Sequence, residues 1–184
     1  MSVKKLMNNY EVLLNNMKFT FLSGTNLEFN DKGTVRFGII AEDMSFPVGS
    51  DKIIIKKGTK IRFDEDGYIK DFFFVESEII KNRIVIRVYG SLESDFALEL
   101  EDIINNFISS GNVFLIFDMA KVIYISSSGI RVFIATYRQL KSDGGKMILA
   151  DLNNSVNKII EIAELKELFE ICPTVDEAIL QMPI

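Results

Sequence analysis

The stretch Tyr124-Ile125-Ser126-Ser127-Ser128-Gly129-Ile130 places three consecutive hydroxyls between two apolar segments. Before it runs Val113 to Ile125. After it, Ile130, Phe133, Ile134, Tyr137 and Leu140 recur at helical spacing. A hydroxyl at the start of a helix can do two things. It can accept a hydrogen bond from a backbone N–H two or three residues on, a cap worth about 1 kcal/mol. It can also carry a phosphate, because the free N–H groups and the positive end of the helix dipole hold a dianion there. One serine suffices for the cap. Ser126 can reach the amides of Ser128 or Gly129 and takes that duty. Ser128, beside Gly129, reads as a small packed residue, and Ser127 is left facing solvent. Arg131 lies four residues past Ser127. It either pairs with a phosphoserine or is a solvated surface cation. Asp118 closes an apolar strand nine residues before Ser127. It either bonds the serine loop or caps a turn.

Composition removes most enzyme chemistries. The chain of 184 residues has no histidine. A Ser-His-Asp triad, a Cys-His pair and a histidine metal site are therefore excluded. No general base stands near the serines in sequence, so no enzyme is expected. No cofactor or metal site is expected, and the loop spacing of an EF-hand is absent. Gly144-Gly145-Lys146 resembles a phosphate loop only at a glance. The earlier glycine is missing and Met147 stands where Ser or Thr would hold magnesium, so it reads as a helix-to-strand turn. The net charge of -5 argues against a nucleic-acid partner. No run approaches the ~20 apolar residues of a membrane helix. The N-terminus lacks an apolar secretory core. Cys172 is the only cysteine, which fits a reducing compartment, and a cytoplasmic protein is expected.

Two rhythms divide the chain. Gly24 to Val35 (GTNLEFNDKGTV) and Gly58 to Ile69 (GTKIRFDEDGYI) match position by position, 34 residues apart. Each alternates apolar and polar residues around an acidic cluster ending in Gly, the signature of a β-hairpin. The strand IIIKK and the run Phe72 to Ser77 are expected to supply further pairing, with Phe72 to Phe74 as core. Ahead of them, apolar positions 3, 6, 10, 13, 14 and 17 predict a short amphipathic helix. From Arg83 the pattern becomes strand, helix, strand, helix. Arg83–Leu92, Val113 onward, Lys146–Leu152 and Glu170–Thr174 read as strands. The stretches from Ser94, Ser126, Asn154 and Val175 read as helices, the third running to Phe169. Alternation of this kind predicts an α/β fold with a mixed or parallel sheet. The expected organisation is a small, mostly-β hairpin-repeat domain over residues 1–78 and an α/β domain over residues 79–184. Neither half is basic.

The second half resembles a STAS domain, the fold of bacterial anti-sigma-factor antagonists. The resemblance covers roughly residues 80 to 184. It rests on Gly90-Ser91-Leu92-Glu93, on Asp118 after an apolar strand, on Ser127-Ser128-Gly129, on Tyr137 to Asn153 and on the terminal Val175 to Ile179. Antagonists of this family carry Asp-Ser-Ser-Gly, whose first serine is phosphorylated by a partner that is both kinase and anti-sigma factor. The resemblance puts that role on Ser127. Ser126 stands where the motif has Asp, and Arg131 where a small residue is usual. It implies a transcription regulator docking its partner through Ser126, Ser127, Ser128, Gly129, Arg131 and Asp118. The other implied reading is a STAS-like accessory module, never phosphorylated, that assembles with a transporter, a lipid-transport complex or itself.

Overall fold

A computed structural model describes residues 1–48 and 51–183. Its contacts divide it into two compact units, Met1–Phe74 and Val75–Ile184.

The first unit is all strand. β1 (Ser2–Lys5), β2 (Tyr10–Leu14), β3 (Met17–Phe21), β4 (Asn26–Phe29), β5 (Val35–Ile39), β6 (Met44–Val48), β7 (Asp51–Ile55) and β8 (Lys60–Phe63) precede β9 (Ile69–Ile80), whose first part belongs to this unit. The sheet order here is β1-β4-β5-β8-β9, all antiparallel. Two separate hairpins, β2-β3 and β6-β7, complete it. Both sequence copies are hairpins with the same turn chemistry. Asn30 Oδ1 accepts from the amides of Lys32 and Thr34, and Asp64 Oδ1 accepts from those of Asp66 and Tyr68. Gly33 and Gly67 then take positive φ, 80° and 83°, which L-side chains resist. The repeat reaches further than the sequence pattern indicates. β2-β3 and β6-β7 are also related by the 34-residue shift, Tyr10↔Phe21 answering Met44↔Ile55. Phe19, Phe21, Leu27, Ile55, Ile61, Phe63 and Phe72 form the core, with Phe19 and Phe63 edge to face at 5.0 Å.

The expected N-terminal helix is not formed. Its residues make β1, β2 and the turn into β3. Asn15 and Asn16 both take left-handed φ, 48° and 64°, as a two-residue hairpin turn requires. Asn tolerates that region better than other residues with a Cβ. The period-two set Tyr10, Val12, Leu14 half-buries one face of β2, and it prevails over the helical spacing.

The second unit takes the rest of β9 and adds β10 (Arg83–Leu92), α1 (Ser94–Ser109), β11 (Phe114–Ile125), α2 (Ser127–Ser142), β12 (Lys146–Ala150), α3 (Asn154–Ile162), β13 (Glu170–Cys172) and α4 (Val175–Gln181). The order is β9-β10-β11-β12-β13, and the last four run parallel. Leu115, Ile116 and Phe117 in β11 are fully buried, as a central parallel strand requires. Phe96, Leu100 and Ile104 of α1, and Val132, Phe133 and Leu140 of α2, are buried, Phe133 packing edge to face on Phe117 at 5.2 Å. Each such side chain contributes about 2 kcal/mol of transfer free energy. Ala178 and Met182 pack instead with Val85, Ile116 and Ile148.

α3 is shorter than its sequence predicts. It ends at Ile162, and Glu164 takes φ 56°. The amide of Leu165 returns to the carbonyl of Ile160 at 3.0 Å, closing the helix. The stop lets Phe169 turn inward, where it is buried next to the start of β13. Among the described residues no helix is long and apolar enough to cross a membrane.

Candidate functional site

The serine cluster sits where two parallel strands end together. Leu92, last in β10, is in register with Ile125, last in β11. Both side chains are buried, and the chain leaves the sheet at the next residue of each strand. Ser126 makes that exit as the N-cap of α2, with extended backbone (φ -79°, ψ 171°). Its Oγ accepts from the Gly129 amide at 3.3 Å and its hydroxyl donates to the Leu92 carbonyl at 2.7 Å. The Ser126 amide donates to the same carbonyl at 3.1 Å. One side chain thus caps α2 and ties it to the end of β10.

Gly129 sets the closeness of that seat. A Cβ there would stand 2.9 Å from both Ile125 Cγ2 and Leu92 Cβ, and 3.1 Å from the Leu92 carbonyl oxygen. No other residue lets the helix start lie this near the strand ends.

Ser127 and Ser128 then face different ways. Ser127, first residue of α2, is exposed. Among the described residues its hydroxyl makes no hydrogen bond. Ser128 is half-buried, its Oγ 3.4 Å from that of Ser94, the first residue of α1. The two helix N-termini therefore meet at this pair. The N-cap of α1, Glu93, makes no side-chain capping bond. Arg131 is exposed one turn after Ser127. It lines a groove of about 280 Å³ between α1 and α2, with Ser94, Leu98, Glu101, Ser128 and Val132.

Asp118 is placed elsewhere. It lies in register with Arg87 on β10 and Ala150 on β12. Five residues of β10 separate Arg87 from Leu92, roughly 16 Å of strand at ~3.3 Å per residue. The Asp118 Oδ1 accepts from the Ala120 amide at 3.0 Å, within β11 where its register against β10 shifts, and Arg87 Nε stands 3.7 Å from Oδ2. With the side chain 18% exposed, burial is the main cause pushing this carboxyl above its ordinary range. The register shifts of β11 against β10 that follow it are held from α3, whose N-cap Asn153 donates to the Val122 carbonyl at 2.6 Å. The structure thus joins Ser126, Ser128, Gly129 and Arg131 in one surface with Ser127, and sets Asp118 apart with Arg87.

Sequence reasoning missed the α1 side of this surface. Leu98 reads as part of the apolar stripe of α1, yet it is 61% exposed. The signal was available: at 100° per residue, position 98 lies 200° from the buried Phe96, on the opposite side of the helix. Ser94 and the Leu92 carbonyl carry no local signal, because both meet the serines across 34 residues of chain.

Comparison with known proteins agrees with this fold. The family model described as the STAS domain matches residues 74–178. The anti-sigma-B factor antagonist of Listeria monocytogenes is 23% identical over 90 residues, covering 49% of this chain and 79% of that one. BtrV of Bordetella bronchiseptica is 26% identical over 92 residues, covering 50% and 79%. Among solved structures, an anti-sigma factor antagonist from Mycobacterium paratuberculosis superposes with a TM-score of 0.56 at 23% identity, over 60% of this chain and 93% of that one.

Proposed function

The chain belongs to the STAS-domain family, and on that premise we propose that it is a regulatory protein-binding module of the anti-sigma-factor antagonist type. It docks a protein partner, an anti-sigma factor or a serine kinase, through the surface around Ser127, and phosphorylation of Ser127 switches the docking. It works in the cytoplasm and catalyses nothing itself.

One observation carries this reading: the three serines are sorted into different duties. Ser126 is engaged by two hydrogen bonds and Ser128 is half-buried against Ser94, while Ser127 is exposed at the first position of α2. A kinase can reach that hydroxyl without disturbing the fold. A phosphate on it meets the first amides of α2, the positive end of the dipole and Arg131 one turn on. These contribute roughly 1–3 kcal/mol at most, less because the site is exposed. The modified protein therefore keeps its fold, and the contact surface gains bulk and about -2 charge.

The accessory-module reading has one observation of its own. Ser126 occupies the place of the motif's Asp, so the acceptor has no carboxylate neighbour on that side. Partner capture separates the two readings. Ser127→Ala and Ser127→Glu are used as baits in lysate of the native cell. The switch predicts a protein retained by the Ala bait and depleted on the Glu bait, with both baits folded. Equal recovery on both overturns the switch and leaves the accessory reading.

A further inference from the structure

We infer that the solvent face of α2 is a docking site for an acidic segment of a protein partner. This deepens the docking reading above and rests on it, because Ser127 stands at the head of that face.

Three features lead there. The first is placement. At about 100° per residue, Arg131, Arg138 and Lys141 all fall within about 40° of Ser127, opposite the buried Val132, Phe133, Thr136 and Leu140. All three cations are exposed. The second is charge. From Ser127 to Ser142 the chain holds no Asp or Glu, in a protein whose net charge is -5. Glu101 of α1 shares a groove with Arg131, and neither Arg138 nor Lys141 lines it. Lys141 shares a separate hollow with Glu167 and Glu170 and lies 5.6 Å from the centre of the Tyr137 ring. Among the described residues Arg131 and Arg138 make no ion pair, so both guanidinium groups are open to a partner's carboxylates. The third is spacing. Seven residues separate the two arginines, two turns of helix and about 10 Å. Acidic side chains seven apart on a partner helix repeat at that distance, and each guanidinium takes one. Three cations fall short of the roughly four to eight that gather an anionic membrane. The net negative charge of the chain opposes a nucleic acid. An acidic protein segment is the occupant that remains. The sign agrees with the switch. A phosphate on Ser127 brings about -2 charge to the head of the face and draws Arg131, four residues on, into an internal pair. The acidic partner loses that arginine and meets a dianion.

The test uses the isotope-labelled full chain and three helical peptides of one length on an alanine frame. One carries Glu at helical stripe spacing, the second Lys and the third Gln at the same places. The inference expects the Glu peptide alone to bind, with NMR shift changes gathered on Ser127, Arg131, Ile134 and Arg138. Arg131→Gln and Arg138→Gln each weaken it by about threefold, the scale of one exposed ion pair. Ser127→Glu weakens it by as much, and Ser127→Ala leaves it unchanged. Unchanged resonances outside α2 show that the variants are folded. No binding of the Glu peptide, equal binding of the Lys or Gln peptide, shifts gathered elsewhere, or full affinity in both arginine variants overturns the inference. Tighter binding of a DNA oligonucleotide to the same face overturns it as well. Failure here with a persisting Ala/Glu difference in partner capture removes the acidic segment and keeps the docking surface. Binding here with no Ala/Glu difference in partner capture keeps the cationic face and removes the switch.

Discussion

Ser126, Ser127 and Ser128 are chemically identical, and only their surroundings separate them. The capping duty of Ser126 was legible because an N-cap is local, decided within three residues. Its second bond, to the Leu92 carbonyl, was not, because nothing nearby in sequence announces a contact 34 residues back. Gly144-Gly145-Lys146 was read as a turn, and it is one: the Gly145 amide closes on the Leu140 carbonyl at 2.7 Å and Lys146 pairs with Glu170 at 2.8 Å. Asp118 carries a prediction of its own. Burial raises its carboxyl, so the folded state keeps that proton to higher pH than the unfolded chain, whose ordinary value is 3.8. Stability from this group is present at low pH and is lost as pH rises through the folded value. Asp118→Asn keeps an acceptor for the Ala120 amide and abolishes the titration. Denaturation across about pH 3 to pH 7 is expected to show the variant gaining on the wild type as pH rises. Parallel stability curves would contradict the assignment.

At the scale of elements, the second half was the more legible. Its strands are near-continuous apolar runs and its helices carry buried stripes bounded by glycine or a capping residue, so period and boundary agree. The two misreadings occurred where they disagreed. Residues 3–17 contain both a helical and a period-two pattern, and the tolerance of Asn15 and Asn16 for left-handed backbone decides for the hairpin. In α3 the helical pattern continues past the place where Glu164 takes left-handed backbone and the chain turns to bury Phe169. The α2 start offers a direct check on how the element is held. Ser126→Ala removes the cap and the tie to Leu92, and is expected to cost about 1 kcal/mol in chemical denaturation. Ser127→Ala, at an exposed side chain without a partner, is expected to stay within about 0.5 kcal/mol of wild type. Equal losses for the two would mean that the serines are not sorted as described.

For the whole molecule, the change from 34-residue hairpin copies to βα alternation was visible in the sequence, because the two patterns have different periods. The place where one unit gives way to the other was not, since the division falls between Phe74 and Val75, inside the single strand β9. We propose that the two units fold separately. A fragment of residues 75–184 keeps Glu76 and Glu78, which bond Tyr89 and Arg87 at 2.8 Å. It is expected to unfold cooperatively, and to be more stable than a fragment starting at residue 79, which lacks both. An unfolded 75–184 fragment by circular dichroism would contradict separate folding. The central claim concerns one hydroxyl. Protein purified from its native cell, digested and mapped by mass spectrometry, tests it most directly. The account predicts phosphate on Ser127; phosphate confined to Ser126 or Ser128, or none under any growth condition, would contradict it.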